Sequence, residues 1–255
     1  MTNRAALKRI QSARDVLLIR FGVGGVLVVS CDSTGAVGRK TRDQIKVDPS
    51  VVGRFTARVA LMEAISVGAV PLCLSVTLTV EPEPSGREIM KGIRRELRNC
   101  EVNEPMIVQS SEKNCIAHQT GVGVTVNAIV EEHRLRVGKG KQGDIVAAIG
   151  NPCVGYEVLK GERTRTIADL EDVNTLLSLS FVHEIIPVGS KGALKEARIL
   201  AADSRLQFRP RRNVAIDLEK SAGPATLLLC SLPKFRWPEL RQTIDKPLSI
   251  IGELQ

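Results

Sequence analysis

The stretch VVSCDSTGAVGRKTRDQIKVDP, residues 28–49, decides how the N-terminal half of the chain is interpreted. The β-branched and apolar residues at its start predict a buried strand, which runs directly into the carboxylate of Asp32. Gly35 and Gly38 follow within six residues, and then comes Lys40. An acid, a flexible turn and a lysine at the end of a strand suit phosphate chemistry, and an ordinary solvated turn is the alternative. The turn lacks the spacing G-x-x-x-x-G-K-[ST], so a P-loop fold is not indicated.

The segments that follow alternate between helix and strand. Residues 48–69 predict a helix, with Asp48 as its N-cap, a proline in the first turn and Gly68 at its exit. Residues 71–80, PLCLSVTLTV, alternate strictly, which predicts a strand with one apolar face and one face of Cys, Ser and Thr. Residues 87–100 predict an amphipathic helix with a basic outer face, which is most simply a solvated surface.

The remaining pattern places a second domain after a linker. The glycine- and lysine-rich segment RVGKGKQGD, residues 136–144, is the best linker candidate, so we expect domains over 1–137 and 138–255. The alternation of strands and helices in both halves predicts an α/β or mixed α+β fold. Further strands are predicted over 105–109, 121–130, 144–150, 213–219 and 226–232, and a further helix over 190–206.

The composition is that of a globular protein with an excess of positive charge. Of 255 residues, 43% are hydrophobic and 25% charged, which argues against disorder. The net charge of +8 favours anionic partners such as nucleotides, phosphorylated metabolites, nucleic acid or a membrane surface. Aromatic residues make up only 3%, so stacking surfaces for single-stranded nucleic acid are poorly supplied.

The cysteines and the apolar segments indicate in which cellular compartment the protein is expected. None of the six cysteines forms a CxxC pair or lies at zinc spacing from a histidine, so we expect free thiols in a reducing cytoplasm. The apolar segment 15–31 is interrupted by Arg20 and by glycines. No run approaches the ~20 apolar residues of a membrane helix, so neither export nor a membrane span is expected.

Three acids, Asp32, Glu63 and Glu112, are candidates for a metal site. Each stands on a separate predicted element, and each taken singly has an ordinary interpretation as a cap, a solvated helix residue or a loop acid. Mg²⁺ is usually held by one or two carboxylates together with substrate phosphates. Acids from three elements that converge would provide such a site.

The order of these segments resembles the aminoimidazole ribonucleotide (AIR) synthetase superfamily, whose members include thiamine monophosphate kinase, selenophosphate synthetase and a hydrogenase maturation protein. The resemblance is carried by CDSTGAVGRK, by VVGRFTARVALMEAISVGAVPLCLSVTL and by QSSEKN, in that order. It covers residues 26–130 specifically. It is fainter in GDIVAAIGNPCVGYEVL and IPVGSKGALKEARILAADSRL, which are similar to the second domain of the superfamily.

The resemblance implies an ATP- and Mg²⁺-dependent enzyme. It implies an N-terminal domain whose strands complete a β-barrel across a homodimer, flanked by helices, and a C-terminal α/β sandwich. Membrane and nucleic acid are then not expected as partners. The implied site residues are Asp32 and Lys40 as catalytic groups, Gly35, Gly38, Lys40, Lys113 and Asn114 on the nucleotide, and Asp32, Glu63 and Glu112 on the metal.

Within the superfamily the pattern looks most like the α-ribazole kinases of cobamide lower-ligand salvage, so we expect a small-molecule kinase that phosphorylates α-ribazole. The chain departs from the pattern of the kinases because no double aspartate precedes Asp32, and Glu63 and Glu112 replace aspartates. Another superfamily kinase, of the thiamine monophosphate kinase type, and an ATP-dependent cycloligase are the enzyme alternatives. A basic module that binds nucleic acid through the 87–100 helix is the alternative from another class.

Overall fold

The computed structural model describes residues 9–98, 100 and 106–255, and it confirms the predicted mixed α+β class. The chain divides into two compact units. The first holds the residues up to 64 together with 69–133, and the second holds 65–68 together with 134–255.

The bounds of the regular elements in the described residues are as follows. The strands are β1 (Ile10–Ala13), β2 (Val16–Phe21), β3 (Gly25–Gly35), β4 (Val37–Gly38), β5 (Ile45–Lys46), β6 (Val70–Leu78), β7 (Met106–Ser111), β8 (Gly121–Glu131), β9 (Asp144–Gly150), β10 (Glu184–Pro187), β11 (Phe208–Pro210), β12 (Leu227–Pro233) and β13 (Leu248–Leu254). The α-helices are α1 (Pro49–Ser66), α2 (Arg87–Leu97), α3 (Tyr156–Arg163), α4 (Leu170–Ser178), α5 (Gly192–Asp203) and α6 (Trp237–Thr243).

The first unit is built on a six-stranded sheet with the order β1-β2-β3-β8-β6-β7. All neighbours are antiparallel except β6 and β7, which run parallel. One face of this sheet packs on α1, and side-chain hydrogen bonds fix the contact: Ser30 Oγ donates to the Ala60 carbonyl at 2.6 Å, and the hydroxyls of Thr34 and Thr56 lie 2.7 Å apart.

Helix α1 confirms the prediction for residues 48–69. Asp48 Oδ1 accepts the amide of Ser50 at 2.9 Å, as an N-terminal cap does, and Gly68 takes the left-handed φ of 87° at the exit. The predicted apolar stripe is buried, and the face beside it is buried as well. One buried ion pair, Arg58 Nε to Glu96 Oε1 at 2.6 Å, joins α1 to α2.

Strand β6 confirms the predicted alternation with one correction. Leu74, Val76 and Leu78 are buried on the α1 side, but Leu72 is 47% exposed. The reason is a shift of register between Pro71 and Cys73 in the pairing of β6 with β8. Such a bulge moves the side chains before it to the other face of the sheet.

The predicted helix over 87–100 is shorter than expected, since α2 ends at Leu97. Part of the prediction, at Asn99, lies outside the described residues. The predicted strand over 105–109 corresponds to β7, and its first residue also lies outside the described residues. On the outer face of α2, Arg87 pairs with Glu83 at 3.0 Å and Lys91 with Glu88 at 3.6 Å, as expected for a solvated surface.

The second unit is built on a five-stranded sheet with the order β10-β12-β9-β13-β11, in which all neighbours are antiparallel. Helix α5 covers one face, and its Ala193, Ala197 and Leu200 form a core with residues of β9, β12 and β13. The strand predicted over 213–219 is wrong, because this segment contains no strand and instead lays Val214, Ile216 and Leu218 against that core. Every second residue of this segment is partly buried against the core, so its sequence alternates as a strand does although the segment forms no strand.

Among the described residues, the first sheet does not close into the β-barrel expected from the resemblance, because β1 and β7 are its edge strands. The face of that sheet turned away from α1 carries exposed apolar side chains, among them Leu72, Met106 and Val108. None of the helices in the described residues is long and apolar enough to cross a membrane.

Candidate active site at the strand ends of the first sheet

Four neighbouring strands of the first sheet, β3, β8, β6 and β7, end or begin at one end of the sheet. Gly35, the last residue of β3, pairs with Gly121, the first residue of β8. Leu78, the last residue of β6, lies between Val122 of β8 and Ser111, the last residue of β7. The loops that follow these strands therefore meet at this edge, which we call the strand-end edge. The segment that follows β3 forms one of them, the 36–48 loop.

Asp43 holds the 36–48 loop in place. It is only 5% exposed. Its Oδ1 accepts the amide of Thr120 at 2.7 Å, and its Oδ2 accepts both the hydroxyl of Thr120 and the amide of Lys40 at 2.7 Å. Backbone bonds from Ala36 to Thr120 and from Arg42 to His118, each 2.9 Å, close the contact. The glycine turn is therefore a fixed structure, not a solvated one.

Gly38 shows why this loop needs a glycine. Its φ is 150°, and a Cβ at this position would lie 2.4 Å from Thr120 Oγ1 and 2.9 Å from Asp43 Oδ2. Any side chain would push apart the two residues that anchor the loop.

Lys40 contacts an acid that the sequence did not suggest. Its ammonium forms an ion pair with Glu81, in the segment after β6, and the Lys40 side chain is 21% exposed. Glu81 also accepts a 2.6 Å hydrogen bond from Ser85 Oγ. Burial raises the pKa of the Glu81 carboxyl, but the bonds from Lys40 and Ser85 outweigh it and hold the pKa below its usual value. The lysine is thus positioned by a carboxylate at the strand-end edge.

The open face of the sheet near this edge is lined by residues with little or no side chain. Gly35 has no atom within 4 Å of the position that its Cβ would take. Across the register, a Cβ on Gly121 would lie 2.3 Å from Thr79 Oγ1, and one on Gly123 would lie 2.7 Å from Thr77 Oγ1. A ligand can therefore approach the backbone closely at the end of β3.

Asp32 lies on the other face of the sheet. Its neighbours at two-residue spacing, Ser30 and Thr34, both contact α1, so the Asp32 carboxylate is on the helix side, between them. Burial raises the pKa of this carboxyl to about 6, and a hydrogen bond from the Ser33 backbone opposes the shift. A half-buried acid that titrates near neutrality is able to exchange a proton or to gain a cation.

Glu63 and Glu112 differ in their surroundings. Glu112 stands at the strand-end edge, where its amide donates to Leu78 O at 3.0 Å. The amides of Asn114 and Cys115 donate to its Oε1 and lower the pKa of the carboxyl. Glu63 is half-buried on α1, one to two turns beyond Thr56, which marks the level of the strand end.

The structure thus gathers part of the predicted set. Gly35, Gly38, Lys40 and the Glu112 loop, with its exposed Lys113 and Asn114, lie at the strand-end edge, whereas Asp32 lies within β3 and Glu63 on the helix. In the described part of the chain, no three His, Cys, Asp or Glu side chains lie close enough to hold a metal ion. The metal assignment of Asp32, Glu63 and Glu112 stays a prediction.

Sequence reasoning missed Asp43, Thr120 and Glu81. Asp43 carried a readable signal, since an aspartate three residues after Lys40 in a glycine-rich segment is typical of a side chain that accepts backbone amides. Thr120 and Glu81 carried none, because they reach the loop only through the pairing of strands far apart in the chain. The Asp43–Thr120 bond spans 77 residues.

Comparison with known proteins places this fold in a class. Residues 13–125 match the family model described as AIR synthase related protein, N-terminal domain. Among curated proteins, none matches the chain significantly.

Solved structures extend the likeness to the whole chain. A thiamine monophosphate kinase from Aquifex aeolicus has 16% identity and a TM-score of 0.67, covering 99% of this chain and 91% of that chain. AaThiL complexed with AMPPCP and TMP has 16% identity and a TM-score of 0.67, covering 99% and 88%. The E. coli hydrogenase maturation protein HypE has 12% identity and a TM-score of 0.66, covering 100% and 83%.

At these identities the structural likeness is one of fold. The family match over residues 13–125 supports the resemblance of the N-terminal part of the chain to the AIR synthetase superfamily. The chain as a whole has the fold of these solved structures.

Proposed function

We propose that the protein is an ATP- and Mg²⁺-dependent kinase that phosphorylates a hydroxyl of a small nucleoside-like molecule. The observation that carries the proposal is the strand-end edge, where a loop fixed by Asp43 holds Lys40 against Glu81 and where the backbone at Gly35 is open. The fold supports it, since the chain shares that fold with thiamine monophosphate kinase over nearly its full length.

The residues at this edge fit the phosphates of ATP. Backbone without a Cβ at Gly35 admits a close approach, and Lys40 supplies a cation that its partner Glu81 keeps at the edge. Exposed Lys113 and Asn114 add donors on the neighbouring loop. Phosphoryl transfer requires chiefly positioning and neutralisation of charge, so groups of this kind are sufficient without a covalent intermediate.

We propose fewer carboxylate ligands for Mg²⁺ than the three that the resemblance implies. A single carboxylate with substrate phosphates is an arrangement that Mg²⁺ uses in other enzymes, so Asp32 is our first choice of metal ligand and Glu112 the second. Bound metal would neutralise charge that develops on the transferred phosphoryl group. Without a metal beside it, Asp32 is able to accept the proton that the acceptor hydroxyl loses, since its pKa of about 6 lies near neutrality.

Variants of the three predicted carboxylates separate these roles. We expect Asp32→Asn and Glu112→Gln to abolish the Mg²⁺-dependent stabilisation by ATP, which for a ligand at 100 times its Kd is ~2.7 kcal/mol. Glu63→Gln is the test of the helix position, and we expect it to keep most of that stabilisation because Glu63 stands away from the strand end. Full stabilisation in both Asp32→Asn and Glu112→Gln would show that the metal assignment is wrong.

The acceptor is α-ribazole in our proposal, on the strength of the sequence resemblance alone. The decisive experiment is a screen of ATP consumption over α-ribazole, thiamine monophosphate and common nucleosides, with products analysed by mass spectrometry. A kinase leaves the γ-phosphoryl group on the acceptor oxygen and releases ADP. Turnover of thiamine monophosphate in place of α-ribazole would retain the kinase and replace the acceptor.

The cycloligase alternative gives a different product in the same screen. An ATP-dependent cycloligase activates an amide oxygen and releases inorganic phosphate together with ADP, so no phosphorylated acceptor accumulates. ATP hydrolysis coupled to ring closure would therefore overturn the kinase proposal while leaving the nucleotide site in place. A salt-sensitive complex with random DNA that ignores ATP would favour the non-enzyme alternative instead.

We also propose that the active protein is a homodimer through the first unit. The open face of the first sheet is apolar where Leu72, Met106 and Val108 are exposed, and a second copy would cover it.

A further inference from the structure

A basic cavity in the second unit has no part in the function proposed above. Its volume is about 170 Å³, several times the ~30 Å³ of a water molecule. Three cations line it, Arg209, Arg211 and Lys234, together with one carboxylate, Glu253. Ile145 and Ile250 contribute apolar surface. The lining therefore carries two more positive charges than negative ones.

The register of the second sheet explains how these residues meet. Arg209 of β11 pairs with Glu253 of β13, and Glu253 pairs with Ile145 of β9, so the three side chains stand in one row on one face. The residues next to them, Val146 and Leu254, point to the opposite face and belong to the core under α5. The cavity is thus on the face of the sheet that α5 does not cover.

Gly252 allows β11 to lie close to β13. A Cβ on Gly252 would lie 2.4 Å from the carbonyl oxygen of Arg209 and 2.4 Å from the Phe208 ring. The amide of Arg211 donates to the carbonyl of Ile251 at 2.8 Å, which continues the attachment beyond the strand. The backbone of both arginines is therefore fixed at the rim, although their side chains are exposed.

Arg209, Arg211 and Lys234 form no ion pair with the described residues. In the residues that the structure describes, no acidic group lies within 4.0 Å of the charged atoms of Arg209, Arg211 or Lys234. Glu253, the one acid of the lining, instead accepts a 3.1 Å hydrogen bond from Gln255. Two guanidinium groups two residues apart in the chain, with a lysine in the same cavity lining, match the oxygens of a phosphate, to which arginine donates two parallel hydrogen bonds.

We propose that this cavity binds a small phosphate ester that carries a hydroxyl group. The arginines and Lys234 take the phosphate, and the Glu253 carboxylate accepts a hydrogen bond from the hydroxyl. The same carboxylate disfavours a continuous polyanion, because like charges repel at short range. The cavity is suited in this way to a sugar phosphate or a nucleoside monophosphate in preference to the backbone of a nucleic acid.

The test uses the full chain in EDTA, with ribose 5-phosphate as the probe and binding followed by titration calorimetry. We expect saturable binding that weakens about tenfold or more in Arg209→Gln/Arg211→Gln, since charged hydrogen bonds are lost. Lys234→Gln provides a second, single-site variant with a similar direction of change. Arg198→Gln is the matched control, because Arg198 is an exposed arginine of α5 in the same unit and away from the cavity lining.

Inorganic phosphate and a thymidine oligonucleotide complete the design. We expect inorganic phosphate to bind more weakly than ribose 5-phosphate, and Glu253→Gln to weaken only the ester. Equal binding of phosphate and ester, a tighter complex with the oligonucleotide, or equal losses in the cavity variants and Arg198→Gln would each overturn the proposal. Because EDTA removes divalent metal and the variants lie outside the strand-end edge, these outcomes leave the kinase proposal unaffected.

Discussion

Asp32 shows how one residue can lower stability in order to keep a reactive group. Its carboxylate stands on the helix side of the first sheet between two hydroxyl residues that bond to α1, and burial raises its pKa to about 6. A neutral side chain would suit that position better for folding. The retention of an acid there is understandable if the carboxylate meets a cation or a proton during turnover.

We predict that Asp32→Asn stabilises the protein at neutral pH. The folded pKa lies above the unfolded value of 3.8, so the folded state holds a proton that the unfolded state has lost between these values, and stability falls as pH rises through this window. The penalty is complete above about 6, and its removal should raise the free energy of unfolding by about 1–3 kcal/mol. Urea unfolding of the wild type and of Asp32→Asn at neutral pH and near pH 4 measures this difference in the free energy of unfolding. The difference should vanish at the lower pH.

Asp15→Asn is the control for this prediction, since Asp15 is exposed in the same unit. We expect it to change stability little at either pH. An Asp32→Asn protein that is less stable than the wild type at neutral pH would mean that the carboxylate makes favourable contacts there, and the proposed exchange of a proton or cation would lose its basis.

Lys40 is the residue for which sequence and structure give the sharpest joint prediction. If it meets the phosphates, Lys40→Ala should lower kcat more than it weakens binding, because charge builds up as the phosphoryl group moves. Loss of one such contact costs ~2.7–4 kcal/mol, or roughly a hundredfold or more in rate. Lys40→Arg should restore only part, since a guanidinium is not a point charge.

Steady-state kinetics and melting temperatures of the Lys40 variants test this prediction, with Lys91→Ala on the outer face of α2 as the control. The pair with Glu81 is partly exposed, at 21% for the Lys40 side chain and 33% for the Glu81 side chain. It should contribute ~1 kcal/mol or less to stability, so a large loss of rate would not be a folding defect. Near-normal turnover in Lys40→Ala would leave the lysine with only the structural role of holding Glu81.

Among the helices and strands, the predictions from the sequence were most accurate where a local pattern of residues determines the structure. The alternation of β6 was readable because one face of that strand is buried, whereas α1, which is buried on nearly all sides, was readable from its capping aspartate, its proline and its exit glycine. The bulge that exposes Leu72 was not readable, since it depends on the pairing of β6 with β8. The segment 213–219 was misread for the related reason that alternating burial does not require a strand.

The residues of the candidate site likewise differ in whether a local pattern of the sequence reveals them. Gly35, Gly38 and Lys40 were found because they stand together in the chain, whereas Glu81 and Thr120 come from the segments that the sheet brings to the same edge. A pattern search within one short window sees the first kind of residue and not the second.

We predict that the 36–48 loop depends on the contact between Asp43 and Thr120. Asp43→Ala leaves three donors without their acceptor, two of them buried, so the free energy of unfolding should fall by about 1–3 kcal/mol or more. Thr120→Val removes only the hydroxyl and should cost less. Since both changes disrupt one network, the double variant should lose less than the sum of the single losses, and denaturant unfolding of the four proteins measures this.

The same four proteins test the link from loop to function. If the loop positions Lys40, ATP binding should weaken in Asp43→Ala although Asp43 itself accepts only internal hydrogen bonds. Additive stability losses together with unchanged ATP binding would contradict both the network and its positioning role. Gln44→Ala, at an exposed position of the same loop, is the matched control.

For the molecule as a whole, the open face of the first sheet is the feature that a single chain leaves unexplained. Met106 is 80% exposed, Val108 65% and Leu72 47%, and these residues lie on the neighbouring strands β6 and β7. The first sheet also ends in two open edge strands, which invite pairing with another chain. Contiguous apolar surface of this kind is rare on a monomer and indicates an interface.

We predict a homodimer that forms through this face. Light scattering of the wild type at micromolar concentration should give about twice the mass of the 27.7 kDa chain. Val108→Glu places a charge on the apolar face and should give monomers, since burying an unpaired carboxylate is costly. Val23→Glu is the matched control, because Val23 is fully exposed in the turn between β2 and β3 and should leave the mass unchanged. A wild-type monomer with intact activity would contradict the dimer, and the apolar face would then need a different partner.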